Sequence, residues 1–186
     1  MLLTKSKRNT YLKELGFKSI KDLQKKYFIR KQDIDGKYGT NTDILLRNAY
    51  AVHTNCKNFT LEEFRCKCKG KYCTQYPAVI DTNLLKYLQD IRDKYGSMNI
   101  NSGLRCIKHN EACGGIKNSK HTKGKGVDFT NKKICASSKT MKAFIDEYIK
   151  KGNSNYAYTN GYGRTKTKTT KPSANGMKGI IHIDTK

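Results

Sequence analysis

The chain has 186 residues, 36% of them hydrophobic, and 38 Lys and Arg against 15 Asp and Glu give a formal net charge of +23. That length holds one ordinary domain or a small one beside a medium one, and the apolar fraction suffices for a core. The charge excludes an acidic solvating chain and draws the protein toward polyanions. Most of the cations are lysines, point charges rather than planar forks, which argues against base-specific nucleic-acid readout and for steering toward an anionic polymer.

No stretch reaches the roughly 18 apolar residues of a membrane span. Met1 to Thr10 offers only Leu2 and Leu3 before charges begin, so synthesis in the cytosol without a secretory signal is expected. Seven cysteines, an odd number without such a signal, do not suggest a complete disulfide framework.

Residues 8 to 52 read as a small helical unit. Ser19 is placed to cap a helix with Ile20, Leu23, Tyr27 and Phe28 on one face, and a second helix from Thr40 or Asn41 buries Ile44, Leu45, Ala49 and Val52. Between them, Asp35-Gly36-Lys37-Tyr38-Gly39-Thr40 is a turn with two glycines. From Thr54 to Cys73 the chain reads as a junction, with a short capped helix near Asn58 to Phe64. Cys66, Cys68 and Cys73 stand next, in a Lys/Gly-rich loop. No fourth ligand stands at finger-like spacing, so a structural loop is favoured over zinc there.

Beyond the junction comes an α+β pattern. Asp81 or Thr82 caps a helix carrying Leu84, Leu85, Leu88, Ile91 and Tyr95, and Gly96 ends it. A strand is expected near Met98 to Asn101, a helix runs from Ser137 or Ser138 through Ile149 to Gly152, and further strands are expected at 126–129 and 179–184. The polar stretch from Thr159 to Lys178 is expected to be a mobile loop.

His121 lies before a run of glycines that lets the backbone turn into the strand containing Asp128. Side chains alternate along a strand, so Asp128 faces away from Val127 and Phe129, and His182 shares a face with Asp184, opposite Ile181 and Ile183. Two imidazoles and a carboxylate form a three-ligand set that suits zinc and leaves a fourth position for water. Asp184, two residues from a ligand, is the nearest candidate for the general base.

These motifs carry two resemblances. Leu23-Gln24, Asp35-Gly36, Tyr38-Gly39 and Thr42 stand in the order of the peptidoglycan-binding repeat family, whose modules are three-helix bundles. Asn101-Ser102-Gly103-Leu104-Arg105-Cys106, His109-Asn110, Gly114-Gly115, Asn118-Ser119, His121, Gly124, Asp128 and His182-Ile183-Asp184 resemble the zinc D-Ala-D-Ala carboxypeptidases and the L-Ala-D-Glu endopeptidases of bacteriophage lysins. This second resemblance implies zinc held by His121, Asp128 and His182, a substrate carboxylate or carbonyl held by Arg105, and Ser119 contacting the peptide. Arg suits that task through its planar fork. Leu104 replaces the family's usual Tyr. Gly179 stands where several relatives carry a Glu as base, which passes the role to Asp184.

The expected architecture is α+β, an antiparallel sheet with helices packed on it as in hedgehog and DD-peptidase folds, preceded by a small three-helix module. The domains are 1–53, peptidoglycan-binding-like, and 54–186, the zinc peptidase. The expected activity is hydrolysis of stem or cross-link peptides of bacterial peptidoglycan, as an endopeptidase rather than a carboxypeptidase. The resemblance implies a lysin, expected to be a monomer released through a membrane pore, which fits the missing secretory signal, and the charge adds anionic wall polymers as expected partners with no specific nucleic acid. The alternative is a non-catalytic wall or glycan-binding protein retaining the fold. Arg105 has the plainer alternative of pairing with a carboxylate, and Asp184 that of orienting a ligand.

Overall fold

The computed structural model describes residues 1–152, 154, 156–173 and 175–186. Three helices open the chain: α1 (Lys5–Glu14), α2 (Ile20–Tyr27) and α3 (Thr40–Asn55). Ser19 caps α2 as its sequence position predicts, accepting from the Asp22 N–H. The Asp-Gly turn between α2 and α3 is built around one buried side chain, Gln24. Its amide nitrogen donates to Asp35 Oδ1 (3.0 Å), the Lys37 carbonyl (3.1 Å) and Thr42 Oγ1 (3.0 Å), and its Oε1 accepts from the Gly36 N–H (2.7 Å). Gly36 sits at φ 74°, a left-handed position that glycine adopts without a steric penalty.

The helical unit is docked on the rest of the chain. Asn48 in α3 donates to the Ala78 carbonyl and accepts from the Ile80 N–H, and the Cys56 thiol donates to the Leu85 carbonyl. Leu23, Leu45 and Leu46 join Leu84, Leu85 and Leu88 in one continuous core that extends to Phe129 and Ile181. Each such side chain, fully buried, contributes about 1.5–3 kcal/mol.

The second part begins with a 3-10 turn, Leu61–Phe64, closed by reciprocal hydrogen bonds between Thr60 and Glu63. Helix α4 (Thr82–Tyr95) starts at Asp81 and stops at Gly96, where φ is 86°. Strand β1 (Met98–Ser102), helix α5 (Ile107–Ala112), strand β2 (Gly126–Asn131) and helix α6 (Ser138–Lys150) come next, then β3 (Tyr156–Thr159), β4 (Tyr162–Thr165), β5 (Thr169–Thr170) and β6 (Ile181–Asp184). The strands form one antiparallel sheet in the order β1-β2-β6-β3-β4-β5. The fold is therefore α+β with an antiparallel sheet, as the sequence pattern predicts.

Helix α6 covers one face of the sheet, with Phe144 edge-on to Phe129 (5.8 Å) and to Tyr95 of α4 (5.9 Å). Val127, Phe129, Ile181 and Ile183 are fully buried. By the two-residue period of a strand, Asp128 and His182 are presented on the opposite face.

One expectation is overturned. The stretch from Thr159 to Lys178 contains the β3/β4 turn and the strands β4 and β5, not a structureless loop; Ala174, within it, lies outside the described residues. Its polarity misleads because the outer strands of an antiparallel sheet need bury only one face. The turn is Asn160-Gly161, with Gly161 at φ 75°, a common hairpin signal between Tyr- and Thr-rich runs. Helix α5 likewise has no counterpart in the expected pattern.

Candidate active site

Strand register does most of the assembly. Asp128 pairs across from His182 in β2/β6, and Gly126 from Asp184. On the other side of β2 a bulge between Ile100 and Ser102 brings Ser102 opposite Asp128. His121 comes from the 3-10 turn Lys120–Lys123, which ends at Gly124 in the left-handed region (φ 69°). A side chain at Gly124 would collide with the Val79 carbonyl. At Gly126 a Cβ would stand 3.1 Å from His182 Cε1 and 2.8 Å from Lys120 Cβ, so the close approach of turn and strand needs glycine there.

The three expected ligands meet. One donor atom from each of His121, Asp128 and His182 lies within 4.8 Å of the others, and all three residues are buried. His182 Nδ1 donates to Asp128 Oδ1 at 2.7 Å, while His121 Nε2 stands 3.2 Å from the same oxygen. His121 Nδ1 donates to the Gly103 carbonyl at 2.7 Å. A carbonyl can only accept, so the proton of a neutral His121 is on Nδ1 and its Nε2 lone pair faces a carboxylate oxygen. Two buried acceptors facing each other require a proton or a metal cation between them.

Burial works against the proton. It pushes the His121 pKa below the ordinary imidazole value, against the pull of Asp128. Burial alone would raise the Asp128 carboxyl, but the two histidines against it hold it well below the usual carboxylate range. A neutral imidazole beside an ionised carboxylate is the protonation state that metal ligation needs. With two imidazoles and a carboxylate, the donor set fits zinc.

Arg105 is placed behind this set. Its Nη2 donates to Asp128 Oδ2 at 2.6 Å and its Nε to Ser102 Oγ at 2.7 Å. The Arg105 backbone N–H also donates to the His121 carbonyl. Arg105 therefore pairs with a carboxylate of the protein itself, occupying Oδ2 and leaving Oδ1 turned toward the two histidines. Such outer contacts orient metal ligands.

Asp184 is buried, and its Oδ1 accepts from Ser154 Oγ (2.7 Å) and the Tyr156 N–H (3.3 Å). It shares the sheet face of His182 but sits outside the three-ligand cluster. Ser119 is buried two residues before His121.

Three contributors have no clear mark in the sequence. The Gly103 carbonyl leaves no compositional trace. Ser154 reaches Asp184 only through the chain's path. Tyr158 in β3 stacks on the His182 ring (4.7 Å between centroids, 28° between planes), and burial with the nearby Asp128 charge pushes its phenol up to about 12, so it stays a neutral hydroxyl. The Asn-Gly turn is the one available signal for Tyr158.

A family model described as Peptidase M15 matches residues 57–161, more than half of the chain. The chain belongs to the peptidase M15 family. The match takes in Arg105, Ser119, His121 and Asp128, and this M15 peptidase gains His182 and Asp184, beyond the matched stretch, through the pairing of β2 with β6. M15 enzymes are zinc peptidases, and the ligand set fits that metal. No curated protein and no solved structure matches the chain.

Proposed function

We propose that this M15 peptidase is a zinc-dependent hydrolase of stem or cross-link peptides in bacterial peptidoglycan, acting as an endopeptidase rather than a D-Ala-D-Ala carboxypeptidase. One observation carries the reading: His121 Nε2 and His182 Nδ1 converge on a single oxygen of a buried carboxylate, Asp128 Oδ1. Those three atoms would hold the ion, which would replace the proton that His182 Nδ1 donates to Asp128 Oδ1. Bound zinc supplies Lewis acidity, lowering the pKa of a water toward roughly 7 and polarising a carbonyl.

The chain's own residues do the rest. Gly103 fixes the His121 tautomer, and Arg105 restrains Asp128 while the remainder of its fork is available to meet a substrate carbonyl or carboxylate. Asp184, oriented by Ser154 and the Tyr156 N–H, is the proposed acceptor of the proton released in hydrolysis. Ser119 is the proposed contact to the peptide. The preference for an endopeptidase rests on the helical unit, domain 1–53 beside the peptidase domain 54–186. Its Gln24-centred turn supports a peptidoglycan-binding role, which is most useful on a polymer. The charge of +23 supports attraction to anionic wall polymers. Among the described residues no helix is long and apolar enough to cross a membrane. We assign the protein as a monomer that reaches the wall through a membrane pore.

The test is digestion of purified peptidoglycan with and without a zinc chelator, with mass spectrometry of the released fragments. Internal stem or cross-link cleavage that stops on chelation and returns with zinc is expected. Release of terminal D-Ala alone would identify a carboxypeptidase, and cleavage indifferent to chelation would overturn the proposal.

A further inference from the structure

The strongest feature outside the active site is a second cluster of ligand-type side chains. Cys66, Cys68, Cys73 and Cys106 bring their four sulfurs within 4.8 Å of one another, with Cys68 Sγ and Cys73 Sγ 3.5 Å apart. A tetrahedral zinc with sulfur at about 2.3 Å requires sulfurs roughly 3.8 Å apart. The fourth ligand missing from the Cys66-x-Cys68-x4-Cys73 spacing is supplied from the start of α5, after Arg105. Three of the four residues are buried and Cys73 is half-buried, and together they form a small cluster separate from the main core.

The surrounding backbone is shaped to the sulfurs. The Cys106 N–H donates to Cys66 Sγ and the Gln75 N–H to Cys73 Sγ, each at 3.3 Å. Such bonds favour sulfur carrying negative charge. The loop closes on itself through Cys66 N–H to the Gln75 carbonyl (2.7 Å) and Lys71 N–H to the Cys68 carbonyl (3.0 Å). Lys69 and Gln75 both take left-handed conformations (φ 52° and 76°), which are unfavourable for a non-glycine residue and persist where surrounding structure enforces them. Four thiolates around one divalent ion leave two negative charges, and the loop that carries three of them is basic, with Lys67, Lys69 and Lys71. Soft thiolate donors in a tetrahedral set select zinc or iron, and sulfurs this close surround one ion rather than a wider multi-iron cluster.

We infer that Cys66, Cys68, Cys73 and Cys106 bind a second, structural zinc ion. The ion ties the 66–73 loop to the segment that carries Gly103, the acceptor for His121, and Arg105, the donor to Asp128. That segment is already joined to the junction by the Leu104 N–H to Phe64 carbonyl bond (2.8 Å). The same loop presses on the helical unit, where a side chain at Gly70 would meet Ile29 Cδ1 at 2.9 Å. The site thus stands where the helical unit, the junction and the active-site loop meet.

The test uses the full chain purified from zinc-supplemented medium, with metals counted per chain and cobalt exchanged for zinc. Two zinc ions are expected, falling to one in His182→Ala and to one in Cys106→Ser. The cobalt form of His182→Ala should retain thiolate-to-cobalt charge-transfer absorption and the intense visible bands of a tetrahedral site. If Cys106→Ser fails to fold, the cobalt spectrum of His182→Ala decides alone. Absence of thiolate bands there, or a denatured unreduced protein with three titratable thiols instead of all seven cysteines, would replace the site with two disulfides and overturn the inference. Iron found in place of zinc would overturn the metal assignment. One zinc lost in His182→Ala but kept in Cys106→Ser defeats this site and leaves the peptidase proposal standing. The reverse pattern defeats the active-site reading and leaves this one.

Discussion

Arg105 and Asp184 flank the ligand set in different ways, and substitution separates their roles. Arg105 meets Asp128 through a hydrogen-bonded ion pair and Ser102 through a second nitrogen of the same fork. Lysine keeps the charge but not two donors at fixed geometry. Arg105→Lys is expected to weaken metal binding at the His121/Asp128/His182 site by about 10- to 100-fold, the usual effect of losing a group that orients a ligand. Competition titration with a metal-binding dye measures it. Asp184 does not belong to the ligand cluster. Asp184→Asn should therefore retain zinc while kcat falls by about 10²- to 10⁴-fold, the range for loss of a general base. Metal loss in parallel with activity would reassign Asp184 as a support for the ligand strand.

At the level of elements, the turn between α2 and α3 depends on Gln24 more than on any apolar contact it makes. The side chain is 1% exposed and satisfies Gly36 N–H, the Lys37 carbonyl and Thr42 together. Gln24→Ala leaves buried polar groups without partners, at about 1–3 kcal/mol for each group that water cannot reach. Denaturant unfolding should show that loss. If the helical unit binds wall polymer, retention on insoluble peptidoglycan should fall while cleavage of a short soluble stem peptide is preserved. Equal loss of both would assign the unit to scaffolding of the peptidase core, into which it is packed.

Across the whole molecule, acid acts on the active site in one direction. The folded pKa of His121 is depressed, chiefly by burial, so its contribution to stability is fully present above the ordinary imidazole value of about 6.5 and is lost as pH falls through the folded value. Asp128 is also depressed, the two histidines beside it overcoming burial. Its contribution is present above the ordinary carboxylate value of about 3.9 and is lost only in stronger acid. Protonation also competes with metal for the same atoms. Stability of the zinc-loaded protein is expected to decline first below about pH 6.5, together with zinc release. Urea midpoints and free-zinc fluorescence across pH check this, and a flat profile from neutral to mildly acidic pH would contradict it.

Short-range physics made much of the molecule legible in the chain. Ser19, Asp81 and Ser137 cap helices because their oxygens reach N–H groups in the next turn, and Gly96 ends one because glycine tolerates positive φ. Strand alternation assigns Asp128 and His182 to the face away from Phe129 and Ile181, and motif order singles out both. What remained hidden depends on groups far apart in sequence. Polar composition conceals the β3/β4 hairpin, since its strands are held by the backbones of the neighbours they pair with. The placement of Arg105 on Asp128, of Ser154 on Asp184 and of Cys106 beside the other three cysteines arises from register and loop docking. No local pattern encodes those contacts, because each is decided by how the sheet and the junction pack as a whole.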